Sequence, residues 1–224
     1  LSIHLRDNTF EGSLIIRVNP ISEQVGQDDI AMFLENDLSS IAFMVPKIEE
    51  SDLIANLPDV DVIALLETPV SIKNISEIAS QVKVKGLALG GADLSASLGS
   101  TMDWDSLLYS RSKIVQEAAI NNLFSIDSPF MNIDNLDALK DESIKSKRLG
   151  FNGKAAIHPS QINIIRNSFL PTKEELEEAK DIIRAFNESS SAVLAFKGRM
   201  IDLPIILSME KRLRLVGIDP KNID

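Results

Sequence analysis

The chain has 224 residues, 44% hydrophobic and 25% charged, with a net charge of −10 and no cysteine. This is globular composition for one large domain or two small ones, and it excludes a disulfide scaffold, a thiolate metal site and a non-specific nucleic-acid binder, which needs a basic face. No apolar run nears the roughly 20 residues that span a bilayer and no signal-peptide pattern is visible, so neither nucleic acid nor membrane is an expected partner and the expected compartment is the cytoplasm.

In chain order, residues 1–6 read as the end of a helix. Six short apolar runs follow, each bounded by turn residues: 14–19, 41–47, 62–67, 86–94, 123–130 and 153–159. Most are almost continuously apolar, as strands buried on both faces are. Between them Ile72, Ile75, Ile78, Ala79 and Val82 recur at helical spacing, as do Leu107, Leu108, Arg111, Val115 and Ala118. Strand then helix, repeated, predicts a parallel sheet with crossover helices.

Six such units fit two folds. One is an open six-stranded sheet. The other is a TIM (β/α)8 barrel that lacks its first two βα units, a complete barrel taking about 250 residues. The helix-like start favours the barrel. On that reading the natural polypeptide carries roughly 60–80 further residues before Leu1.

After the sixth strand the pattern changes. Residues 171–175 predict a helix start, with Thr172 as N-cap and Glu175 three residues on. Leu176, Ala179, Ile183 and Phe186 form its apolar stripe. Ser189-Ser190-Ser191 marks a loop or hinge, and Gly198 a second flexible point. A last helix is predicted from near Pro204 to Gly217. The expected organisation is a barrel over residues 1–170 and a C-terminal helical extension and lid over 171–224.

Sites in α/β proteins form at the carboxyl ends of strands. Here each end carries polar groups: Arg17, Lys47, Glu67, Asp93, Asp127, and Lys154 through His158. Together they predict a polar ring on one face. Glu67 and Asp93 are the best metal pair, since two carboxylates in oxygen-rich surroundings suit Mg²⁺; equally, each serves as a cap of the following helix. Arg17 is an anion clamp, its planar fork matching a carboxylate, or a structural ion pair. Lys47 and Lys154 suit phosphate or carboxylate, or are solvated or structural lysines. Gly90-Gly91 permits close backbone approach, His158 reads more readily as a strand-end cap than as a catalytic residue, and Trp104 reads as packing at a helix start.

Three strings, Ala64-Leu65-Leu66-Glu67-Thr68-Pro69, Leu87-Ala88-Leu89-Gly90-Gly91-Ala92-Asp93-Leu94-Ser95 and Gly150-Phe151-Asn152-Gly153-Lys154-Ala155-Ala156-Ile157-His158-Pro159, resemble the citrate lyase β-subunit (CitE-like) members of the HpcH/HpaI aldolase superfamily. Arg17-Val18-Asn19-Pro20, Val45-Pro46-Lys47-Ile48-Glu49 and Gly198-Arg199-Met200-Ile201-Asp202 match in order as well. The resemblance implies a (β/α)8 barrel, a homotrimer or larger assembly, and Mg²⁺-dependent cleavage of a C–C bond in a 3-hydroxy-acid thioester such as a citryl- or malyl-thioester. The products would be an α-keto acid, oxaloacetate or glyoxylate, and an acyl-thioester carried on coenzyme A or an acyl carrier protein. By position, Glu67 and Asp93 would hold the metal, Glu67 would also contact the substrate, and Arg17 would bind the substrate carboxylate with Lys47 nearby. Asp202 would act from a lid on the proton of the acetyl-thioester carbon in a neighbouring subunit's site. Family members begin with two more strands, the second ending in an acidic segment, and neither is in this sequence. Other readings on the same scaffold are an aldolase on free hydroxy-diacids, a malyl-thioester thioesterase, and a non-catalytic degenerate barrel subunit.

Overall fold

A computed structural model describes residues 14–35, 41–189 and 192–223. It divides into two units, Leu1–Ile165 and Arg166–Asp224. The helix end expected at residues 1–6 lies outside the described residues, as do Ser190 and Ser191 of the expected hinge.

In the first unit, strands β1 (Ile15–Arg17), β2 (Ala42–Val45), β3 (Val62–Leu66), β4 (Val84–Leu89), β5 (Phe124–Asp127) and β6 (Gly153–Lys154) pair in sequence order, all parallel, in a sheet that curls as a half-barrel. The connections carry helices α1 (Gln24–Glu35), α2 (Ser51–Ala55), α3 (Pro69–Lys73), α4 (Ile75–Ala79), α5 (Gly91–Leu98), α6 (Leu108–Ile120) and α7 (Leu136–Leu149), with α8 (Pro159–Phe169) after β6.

Register assigns every side chain to a face. Phe43, Val45, Val62, Ala64, Leu66, Leu87 and Leu89 share one face and are all buried. On the other face Ile63, Leu65 and Ala88 are buried, with Ile15, Ala42, Met44 and Ile126 packed beside them and partly covered. The continuous apolar runs of the sequence therefore answer to two covered faces, as in parallel sheets. Gly86 leaves the space that the ring of Phe124 fills across the strands; a Cβ there would lie 2.5 Å from it.

Several predicted elements are shorter than their apolar runs. β4 stops at Leu89 because Gly90 and Gly91 turn the chain into α5, so Asp93 lies in the first turn of a helix rather than on a strand. β6 is two residues long, not seven. The stripe expected from Ile72 to Val82 is two short helices that break at Asn74, whose side chain donates to the Glu49 carbonyl at 2.8 Å; Val82 is exposed. In α6 the buried face is Ser110, Arg111, Ile114 and Ala118.

The second unit holds α9 (Lys173–Glu188), a hairpin of β7 (Leu194–Phe196) and β8 (Arg199–Ile201), α10 (Leu203–Arg214) and a 3₁₀ turn at Pro220–Asn222. Thr172 and Glu175 form the predicted reciprocal cap: the Glu175 amide donates to Thr172 Oγ1 at 3.1 Å and the Thr172 amide to Glu175 Oε2 at 2.9 Å. Ala179 and Ile183 pack with Leu213, and Ile182 with Ile201 and Ile206. Lys197 and Gly198 both have positive φ, 48° and 78°, as a two-residue hairpin turn of matching twist requires. Gly198 thus serves a tight turn, where the sequence pointed to a hinge. α10 ends at Arg214, three residues short of Gly217. Among the described residues no helix is long and apolar enough to cross a membrane.

Candidate active site

The site grows out of the parity of the parallel strands. Glu67 follows β3 on the face of Ile63 and Leu65, and Arg17 ends β1 on that same face. An Arg17 Nη lies 3.9 Å from Glu67 Oε2; the arginine side chain is 60% exposed and the glutamate 2%. A buried acid therefore meets an accessible guanidinium at the carboxyl end of the sheet.

Lys47, just past β2, has φ 52°, a left-handed conformation unusual for a residue with a Cβ. In it the Lys47 amide donates to Glu67 Oε1 at 3.1 Å, while its ammonium side is exposed. Arg17, Val18, Asn19, Pro20, Pro46 and Lys47 line a cleft of about 350 Å³. Asp29 of α1 steadies its wall, accepting from the Asn19 amide at 2.9 Å and the Asn19 side chain at 2.8 Å.

Neither acid caps a helix. Thr68 caps α3, accepting from the Ser71 amide at 3.1 Å while Ser71 Oγ accepts from the Thr68 amide. α5 has Gly90 at its cap position and no side-chain cap bond. Asp93 is exposed in the first turn of α5, where the helix N-terminus favours a negative charge. Gly90 is a close-approach glycine: a Cβ there would lie 2.3 Å from Glu67 Cβ and 2.8 Å from Glu67 Oε2.

Burial lifts the Glu67 pKa above the ordinary carboxylate range, and the charge of Asp93 adds to the rise; Arg17 and the Lys47 amide oppose it without cancelling it. Two acids that resist sharing negative charge are what a divalent cation relieves. Among the described residues no group of three or more His, Cys, Asp or Glu forms a metal cage. A pair of carboxylates that leaves positions for water and substrate is the arrangement Mg²⁺ takes, so Glu67 and Asp93 fit that ion.

Lys154 and Asp127 leave the expected polar ring. Register pairs them on the opposite face, where both are buried. Lys154 Nζ donates to Asp127 Oδ2 at 2.8 Å, to Glu142 Oε1 at 2.6 Å and to the Ser128 carbonyl at 2.7 Å. Arg111 Nε donates to Asp127 Oδ1 at 2.9 Å, and its guanidinium carbon sits 4.6 Å from the centre of the Trp104 ring. Lys154 is therefore a structural lysine. Arg111 and Glu142 carried no signal of this role; the available cue was one acid and one base closing two neighbouring strands. His158 is exposed and bonded to Ser160 Oγ at 2.8 Å. Asp202 is the N-cap of α10, its Oδ1 accepting from the Ile205 amide at 3.4 Å.

Comparison with known proteins finds relatives of this chain in sequence and in fold. The family model HpcH/HpaI aldolase/citrate lyase matches residues 4–159. Mitochondrial citramalyl-CoA lyase of Mus musculus is 28% identical over 219 residues, covering 85% of this chain and 65% of its own length. Citrate lyase subunit beta of Haemophilus influenzae is 28% identical over 213 residues, covering 86% and 72%. The chain thus spans about two thirds of the length of its curated relatives. A crystal structure of CitE from Mycobacterium tuberculosis, in complex with magnesium, acetoacetate and coenzyme A, superposes with a TM-score of 0.82 at 28% identity, covering 96% of this chain and 83% of that one. With the family model matching well over half of its residues, this chain belongs to the HpcH/HpaI aldolase/citrate lyase family.

Proposed function

We propose that the chain carries the catalytic site of a Mg²⁺-dependent C–C lyase acting on a 3-hydroxy-acid thioester of the citryl or malyl kind, on coenzyme A or an acyl carrier protein. The products are an α-keto acid and an acyl-thioester. The observation that carries this reading is the convergence of the Arg17 guanidinium and the Lys47 amide on buried Glu67 beside an open cleft, with Asp93 close enough to raise the Glu67 pKa. The six strands are read as part of a (β/α)8 barrel within a homo-oligomer, a trimer on the resemblance.

Glu67 and Asp93 hold the ion. When bound, Mg²⁺ supplies Lewis-acid stabilisation of negative charge on a substrate oxygen. Arg17 grips the substrate carboxylate with its fork and fixes the hydroxy acid against the metal pair. Lys47 supports the substrate from the cleft wall. Loss of the hydroxyl proton to water lets the C–C bonding electrons pass to the thioester fragment, leaving the keto acid's C=O, and the resulting enolate takes one proton back, from Asp202 or from water. Asp202 reaches that carbon from a neighbouring copy, on a segment that shields the enolate from water.

The direct test is a coupled assay for released keto acid across citryl-, malyl- and methylmalyl-thioesters. Activity confined to free hydroxy acids would point to an aldolase, and thioester hydrolysis without keto acid to a thioesterase. A chain whose melting temperature is unmoved by Mg²⁺ plus oxaloacetate would be a non-catalytic subunit.

Two substitutions test individual roles. Arg17→Lys keeps the charge and loses the bidentate contact; kcat/KM is expected to fall on the order of tenfold or more, with melting temperature unchanged because the side chain is exposed. Wild-type kinetics would make Arg17 a structural ion pair. Asp202→Asn separates chemistry from capping, since Asn caps a helix as well as Asp. Its kcat is expected to fall by about 10²–10⁴-fold, the range for a lost acid–base group, with melting temperature and Mg²⁺ affinity nearly constant. Mixing it with Glu67→Gln chains should restore part of the activity. No rescue, with chain exchange confirmed, would take Asp202 out of the neighbour's site.

A further inference from the structure

The Gly90-Gly91 turn is wedged between two strands. On one side Gly90 lies against Glu67, with no room for a Cβ. On the other side Gly91 lies against Ser128, just past β5: a Cβ on Gly91 would be 2.9 Å from Ser128 Oγ and 3.0 Å from Met102 Cε. Asp93 follows two residues later in the same helical turn. The glycine pair thus links Ser128 on one side to Glu67 on the other, at the start of the helical turn that carries Asp93.

Ser128 is held twice by the buried charge cluster. Lys154 Nζ donates to its carbonyl at 2.7 Å and an Arg111 Nη donates to its Oγ at 3.4 Å. Both cations are fixed in turn by Asp127, which also accepts from Ser146 Oγ at 2.5 Å. Arg111 also donates to the Trp104 carbonyl at 3.3 Å. A buried, paired network of this kind is weak evidence for stability, because well-packed apolar side chains serve stability as well or better. What apolar side chains cannot do is direct hydrogen bonds at one carbonyl and one hydroxyl.

We propose that the Arg111–Asp127–Lys154 cluster is a positioning device for the metal pair. It locks Ser128, Ser128 sets Gly91, and the glycine turn thereby sets the approach of Asp93 to Glu67. These residues touch no substrate. The inference rests on the reading of Glu67 and Asp93 as the metal ligands.

The test is Mn²⁺ binding to the full chain, with Mn²⁺ alone as probe and free ion read by electron paramagnetic resonance, beside melting temperature. Ser128→Ala removes only the hydroxyl, and Arg111→Lys keeps a charge without the fork. Each is expected to weaken Mn²⁺ binding on the order of tenfold, the usual cost of losing a group that orients a metal ligand. Ile75→Val, in the buried core of α4, should lower the melting temperature and leave Mn²⁺ affinity alone. Wild-type affinity in Ser128→Ala, alongside lost affinity in Glu67→Gln, overturns the positioning role and leaves the metal site standing. Undiminished affinity in Glu67→Gln overturns the metal site and this inference with it. If Arg111→Lys does not fold, Ser128→Ala decides by itself.

Discussion

Replacing Glu67 by Gln is expected to lower Mg²⁺ affinity on the order of 100-fold or more, since loss of a ligand exceeds the 10–100-fold seen when only its supporting group is lost; lyase activity should fall with it. The amide is a poor ligand for a hard cation, and the carboxylate is the group on which Arg17 and the Lys47 amide converge. Asp93→Asn should act in the same direction. It has a second effect, because removing its charge lowers the Glu67 pKa toward the ordinary range. Isothermal titration with Mg²⁺ checks both; full binding in either variant refutes the assignment.

The raised Glu67 pKa fixes a sign for stability as well. Folding binds Glu67's proton more tightly than the unfolded chain does, so the metal-free protein loses stability as pH rises from the ordinary glutamate pKa through the raised one. Glu67→Gln should therefore raise the melting temperature of the metal-free chain at neutral pH and erase that pH dependence. Mg²⁺ should restore stability to the parent above the raised pKa and do nothing for the variant.

The second large effect is structural. Lys154→Met leaves Asp127 with one cation where it had two, inside a cluster whose Arg111, Asp127 and Lys154 side chains are fully buried, and leaves the partly exposed Glu142 without its 2.6 Å partner. Breaking a buried pair from one side costs about 3–5 kcal/mol. At about 2–4 °C per kcal/mol for a chain of this size, the melting temperature should fall by roughly 6–20 °C. Acid sensitivity gives the matching signature. Burial works against the Asp127 carboxylate, but Lys154 and Arg111 outweigh it and hold its pKa below the usual range. Its contribution is present above the ordinary aspartate pKa and is lost as pH falls through the lowered one. Lys154→Met should move acid unfolding to higher pH. A scanning calorimetry series across pH reads both; an unchanged melting temperature would mean that the cluster adds nothing to stability.

The sequence carried the parallel sheet because its evidence is local. A strand buried on both faces must be apolar at every position, as in Val62–Leu66, and the turn residues that follow each run are local too. The same holds for the Thr172–Glu175 cap, whose partners lie three residues apart. The candidate site was legible for a related reason. In parallel strands every carboxyl end opens on one rim, so reading the residue after each apolar run lists the groups that share it.

Tertiary structure decided which way those groups point. Glu67 and Lys154 look alike in sequence, each a charge among the polar groups assigned to a strand's carboxyl end. Register turns Glu67 to the face of Leu65 and Lys154 to the opposite face, under the helices, where it becomes structural. Arg111 reads as one member of a helical stripe, and only the packing of α6 over β5 shows it paired with Asp127. The amide that Lys47 offers Glu67 depends on a single backbone angle of 52°. Composition and period fixed by themselves that this chain forms strands and helices in alternation with polar strand ends. Which of those ends meet depended on strand register and helix packing, because side-chain direction flips with each residue along a strand and a long-range pair leaves no periodic trace.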